Sequence, residues 1–201
     1  MIITDSATKK VLLHLFRDFS NTHTITSLAR ELNFSRVGIW KVLKKLGSNK
    51  YLLLKSVGKG KTSTYLITLN WDNPLVEKIL SLYLTEEAIK QRRWQFNFAD
   101  LEKTVDFLIL YGSILHSPEQ ANDIDLTGVI TGGKRFIKTD ELINQIQISL
   151  TKKIHPIFFG PEELKKELSN QNRAFIDAIK KGVILFGQEN FVRFMKEMMK
   201  K

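Results

Sequence analysis

The chain has 201 residues, 43% of them hydrophobic and 26% charged, with no cysteine and a formal charge of +10. That is ordinary globular composition, and the length suits two small domains. It excludes disulfide frameworks, thiolate zinc sites and cysteine nucleophiles. The longest apolar run, FLILYGSIL, is too short to cross a bilayer, and MIITDSATKK lacks the order of a signal peptide. A cytoplasmic protein with no membrane partner is expected. The charge is uneven: residues 1–72 hold twelve basic side chains against four acidic ones, a net +8, and the remainder is nearly neutral. Such asymmetry points to a polyanionic partner for the first part.

In chain order, Val11, Leu12, Leu15, Phe16 and Phe19 form one helical stripe that starts near Asp5. A second short helix begins near Thr26, with Leu28, Ala29 and Leu32 apolar, and Asn33 suits a tight turn after it. Ser35 is a good N-cap for a third helix reaching about Leu46, with Gly47 expected to end it. Its buried face is Ile39, Val42, Leu43 and Leu46. Arg36, Trp40 and Lys44 recur at four-residue spacing on the opposite face, with Lys41 beside them. Two β-rich runs, YLLLKSV and TSTYLIT, follow around Gly58-Lys59-Gly60-Lys61.

Three helices and a glycine-lysine hairpin resemble a winged helix-turn-helix domain of the bacterial and archaeal regulator type. The resemblance implies double-stranded DNA as partner. The third helix would enter the major groove, with Arg36 and Trp40 at bases or groove, while Lys41, Lys44, Lys59 and Lys61 meet phosphates. Trp40 also admits a second reading, packing against the second helix.

Asn73-Pro74 reads as a helix start. Leu75, Val76, Ile79, Leu80, Leu82, Tyr83 and Ile89 make a broad apolar face, packed between domains or used in a homodimer. Thr85 with Glu86 and Glu87 suits the cap of another helix.

Further on, FLILYGSIL and DIDLTGVI are short β-rich runs. Asp123 and Asp125, two apart on a strand, project from one face. Paired carboxylates there call for a compensating cation, and oxygen donors suit Mg²⁺ or Mn²⁺. Gly112-Ser113 would precede a short helix whose free N–H groups can hold a triphosphate.

Gly-Ser followed by Asp-x-Asp resembles the signature of the DNA polymerase beta-like nucleotidyltransferase superfamily, and looks closest to its small prokaryotic domains. The resemblance implies transfer of a nucleoside monophosphate from a nucleoside triphosphate to an acceptor hydroxyl. Asp123 and Asp125 would be catalytic metal ligands, and Gly112 and Ser113 would hold the β- and γ-phosphates. Two features depart from the pattern. The strand that carries a third acid in many active members reads Ile154-His155-Pro156-Ile157-Phe158-Phe159, with Glu162 and Glu163 only on the next helix. The loop after Ser113 reads Ile-Leu-His, where active members often place a basic residue and a glycine. Lys134 and Arg135, in a loop after the aspartate strand, offer substitute phosphate contacts. His14 and His23 read as structural or exposed, whereas His116 and His155 can approach the aspartates. The RFMKEMMKK end reads as an amphipathic helix with Phe191, Phe194 and Met195 inward.

The expected fold is α+β: a winged helix over 1–72, a helical connector over 73–98, and a nucleotidyltransferase-like mixed sheet with flanking helices over 99–201. A regulator that binds nucleotide or a partner without turnover is the alternative to an active transferase.

Overall fold

In the computed structural model, which describes residues 5–58 and 64–199, the first helix begins where Asp5 can cap it. Asp5 Oδ1 accepts from the Thr8 N–H at 2.8 Å, and Lys45 Nζ lies 2.8 Å from Asp5 Oδ2. The Lys45 hydrogen bond holds the Asp5 carboxyl below its ordinary range. This helix, α1 (Ser6–Arg17), buries Val11, Leu12, Leu15 and Phe16. Phe19 lies beyond its end, because Asp18 is already the C-cap.

A short strand, β1 (His23–Thr24), leads into α2 (Ile25–Glu31) through a reciprocal cap: Thr24 N–H donates to Ser27 Oγ, and Ser27 N–H to Thr24 Oγ1. Asn33, at φ 55°, makes the turn to α3 (Arg36–Ser48), and Ser35 Oγ accepts from the Gly38 N–H at 3.0 Å. Ile39, Leu43 and Leu46 are buried, while Val42 is half-buried. Gly47 does not end this helix. The chain continues to Ser48 and reverses at Lys50, φ 58°. What Gly47 provides is room, since a Cβ there would stand 2.7 Å from Leu54 Cδ1. Strands β2 (Leu52–Val57) and β3 (Thr64–Leu69) pair antiparallel, and β1 joins the far edge of β3 to give the order β1-β3-β2.

Asn73 Oδ1 accepts from the Leu75 N–H at 3.0 Å at the start of α4 (Pro74–Ile89). Thr85 caps nothing. It lies inside this helix, which no glycine or proline interrupts, and the next helix is α5 (Arg92–Asn97). Val76, Ile79, Leu80 and Tyr83 are buried, whereas Leu75, Leu82 and Ile89 are exposed. The chain divides into two compact units, Met1–Tyr83 and Leu84–Lys201.

The second unit is built on β4 (Phe107–Tyr111), β5 (Asp123–Val129), β6 (Lys153–Phe159) and β7 (Val183–Phe186), in the order β6-β5-β4-β7. Strands β5 and β6 are parallel and are joined through α6 (Gly133–Ser149); the other pairs are antiparallel. After β6 come α7 (Pro161–Ser169) and α8 (Arg173–Lys181), and α9 (Gln188–Met199) follows β7. Alternation divides the side chains between two faces. Leu108, Leu110, Ile124, Leu126 and Ile154 share a core with Trp94, Phe98, Leu101 and Ile143. On the other face Phe107 meets Phe191 and Phe194 of α9, with ring centroids 5.2 and 5.4 Å apart. The architecture is thus α+β. Among the described residues no helix is long and apolar enough to cross a membrane.

Candidate metal centre and nucleic-acid face

Asp123 and Asp125 stand at the first and third positions of β5, half-buried, while Ile124 between them is buried on the opposite face. The next residue on their face, Thr127, donates its hydroxyl to the Ile157 carbonyl at 2.8 Å. The strand therefore satisfies its buried polar group and leaves its carboxylates at the open end.

Register supplies the rest of the site. Parallel pairing sets His155 beside Asp125, and antiparallel pairing sets Tyr111 on the other side. His155 Nδ1 is 3.3 Å from Asp123 Oδ2 and 3.9 Å from Asp125 Oδ1. One ligand atom from each of Asp123, Asp125 and His155 lies within 4.8 Å of the others. Burial, followed by the Asp123 charge, raises the Asp125 carboxyl above its ordinary range, against a smaller lowering by His155. Burial also raises the Tyr111 hydroxyl, with further contributions from Asp125 and Asp123.

Gly112 joins this cluster to β4. Its φ of 82° and ψ of −164° belong to a region that essentially only glycine enters. An added Cβ would run into Asp125 Oδ2, so the missing side chain makes room for the carboxylate. The helix expected after Gly112-Ser113 is a single 3₁₀ turn, Ser113–Leu115, in which the His116 N–H donates to the Ser113 carbonyl at 3.0 Å. Its opening N–H groups face no preceding turn.

The donor set fits a hard divalent cation. Two partly exposed carboxylates suit Mg²⁺ or Mn²⁺, and the imidazole is better matched to Mn²⁺. His155 takes the place beside the aspartates where the sequence reading sought a third acid. His116 is exposed at the end of the 3₁₀ turn, outside this cluster. Glu162 and Glu163 do not contribute either: they follow the far end of β6, where Glu163 Oε2 accepts from the Gly160 N–H and Glu162 pairs with Lys165.

Lys134 and Arg135 are likewise corrected. They belong to the first turn of α6, beyond the far end of β5, not to a loop. Seven strand residues, about 20 Å at the usual rise, separate the two ends. Arg135 Nη1 is also engaged by Asp106 Oδ1 at 2.7 Å. Tyr111 carries no signal of its own in the sequence, since only strand pairing brings it beside Asp125.

In the first unit, Arg36, Lys41 and Lys44 are exposed on α3. Trp40 is half-buried, and its ring meets Tyr65 of β3 at 5.4 Å between centroids. Trp40 thus packs at least in part against β3. Lys44 Nζ lies 5.3 Å above the indole, a cation–π arrangement that holds the ammonium on this face. Lys59 and Lys61 lie outside the described residues. No protein-family model, curated protein or solved structure matches the chain.

Proposed function

We propose that this chain is a winged helix-turn-helix DNA-binding protein whose second unit is a metal-dependent nucleotidyltransferase of the polymerase beta-like type. One observation carries the reading. A glycine-serine turn leaving β4 lies against an Asp-x-Asp pair opening β5, with Gly112 lacking a side chain where Asp125 approaches. Asp123 and Asp125, with His155, hold Mg²⁺ or Mn²⁺, which when bound orients a nucleoside triphosphate and offsets charge on its phosphates. Gly112 and Ser113 present backbone N–H groups to the β- and γ-phosphates. Arg36, Lys41 and Lys44 on α3 meet double-stranded DNA, as the basic excess of residues 1–72 favours.

A second reading has its own support. His155, rather than a carboxylate, stands beside Asp125 on β6, so the described cluster has one acid fewer for holding two divalent ions. Under that reading the second unit binds a nucleotide and adjusts DNA binding without turnover, and reciprocal linkage requires DNA to change nucleotide affinity equally.

Incubation with labelled nucleoside triphosphates, Mn²⁺ and candidate acceptors distinguishes the two. Product that disappears in Asp123→Asn supports transfer. Nucleotide binding that disappears without any product in the parent supports the sensor. Binding and product both unchanged in Asp123→Asn and Asp125→Asn would defeat both readings.

A further inference from the structure

Two histidines meet in the first unit. His14 belongs to α1, Asp18 caps that helix, His23 opens β1, and Glu31 closes α2. His14 Nε2 is 2.8 Å from Glu31 Oε2, and His23 Nδ1 is 3.4 Å from the same oxygen. The imidazoles stand edge to face with centroids 5.2 Å apart. One ligand atom from each of His14, Asp18, His23 and Glu31 lies within 4.8 Å of the others.

His23 is the decisive member. It is only 4% exposed, so its polar atoms have no recourse to solvent. Its Nε2–H donates to the Asp18 carbonyl at 3.2 Å, which assigns that proton and leaves Nδ1 as the lone-pair nitrogen of the neutral ring. Nδ1 has no hydrogen-bond partner, although a Glu31 carboxylate oxygen stands 3.4 Å away. A buried nitrogen without a partner is unfavourable, and a cation held between Nδ1 and the Glu31 carboxylate, which is partly exposed and also meets His14 Nε2 at 2.8 Å, supplies the missing partner.

We propose that His14 Nε2, His23 Nδ1 and the Glu31 carboxylate form a site for a borderline divalent metal ion, Zn²⁺ foremost. Asp18 orients His23 from behind. Ligand atoms around a tetrahedral Zn²⁺ stand about 3.3 Å apart at ordinary bond lengths. The 3.4 Å pair matches that spacing, and the 2.8 Å pair needs to open by about half an ångström. Two imidazoles and one carboxylate favour Zn²⁺, Ni²⁺ or Co²⁺ over Mg²⁺, and water completes the coordination. A carbonyl accepting from the remote N–H is the usual means of fixing a ligating imidazole. His14 binds through Nε2 as its Nδ1–H tautomer. The ion would tie α1 and β1 to α2, the helix that precedes α3. This site is independent of the proposed transferase chemistry.

The test uses the full chain carrying Asp123→Asn, Asp125→Asn and His155→Gln, which silences the other cluster. Zn²⁺ titrated against a chromogenic chelator should bind at one equivalent and raise the melting temperature. Glu31→Gln and His14→Gln in that background should each lower affinity more than about 100-fold, beyond the range of outer-sphere partners. Imidazole ¹⁵N signals should shift at His23 Nδ1 and His14 Nε2 on adding Zn²⁺. A folded parent that binds no Zn²⁺ overturns the proposal, and so does Glu31→Gln binding like its parent. Glu31 ends a helix, so its amide variant keeps the test valid if His14→Gln fails to fold.

Discussion

Replacing Asp125 with asparagine should stabilise the metal-free protein while removing its response to Mn²⁺. The ligand atoms of Asp123 and Asp125 stand within 4.8 Å of each other. At that separation two charges repel by about 1 kcal/mol in water and about 3 kcal/mol at an effective dielectric constant near 20. Both side chains are partly open to solvent and His155 offsets part of the repulsion, so the lower figure governs. A gain of about 1 kcal/mol corresponds to roughly 3–5 °C in a domain of this size. Because the Asp125 carboxyl is raised in the folded chain, the native state holds its proton more tightly than the unfolded state. Stability from this group is therefore complete below the unfolded value and lost as pH rises through the folded value. Asparagine cannot ionise, so the advantage of Asp125→Asn should be present at neutrality and vanish below about pH 4. Urea melts from acid to neutral pH, with and without Mn²⁺, measure both effects. A variant less stable than the parent at neutral pH without metal would refute the electrostatic argument. An equal Mn²⁺-dependent gain in the two proteins would refute Asp125 as a ligand.

Gly112→Ala forces a Cβ into Asp125 Oδ2 at a glycine-only conformation; denaturant melts should show a loss of about 1–3 kcal/mol, and calorimetry weaker Mn²⁺ binding. Tyr111 should ionise above its ordinary range, seen as a difference in alkaline ultraviolet titration against Tyr111→Phe, and Asp125→Asn should draw it down by removing a charge. Lys41→Ala and Lys44→Ala should each reduce the salt slope of duplex DNA binding by about one, as anisotropy would show; unchanged slopes remove them from the phosphate contacts. Leu43→Ala, at a fully buried position, should cost the first unit about 2–5 kcal/mol in thermal or urea unfolding.

Local chemistry made much of the chain legible. Ser35 and Asn73 stand at their helix starts, Asn33 takes the left-handed turn, and the apolar stripe of α1 is buried as its spacing requires. These features depend on neighbours within a few residues. Helix ends are less legible, because a glycine near one is not always a stop signal. Gly47 is instead a packing position, and the residue it accommodates, Leu54, lies on the following strand.

The α+β class, the uneven charge, and the shared face of Asp123 and Asp125 are legible in residue order alone, because strand alternation needs no knowledge of any partner. Tertiary structure decided what stands beside them. Pairing β5 with β6 and β4 brought His155 and Tyr111 alongside Asp125, while the length of β5 carried Lys134 and Arg135 away. The meeting of His14 with His23 and Glu31 was also hidden in one dimension. It arises from the packing of α1, β1 and α2, where segments distant along the chain become neighbours only after their apolar faces are buried together.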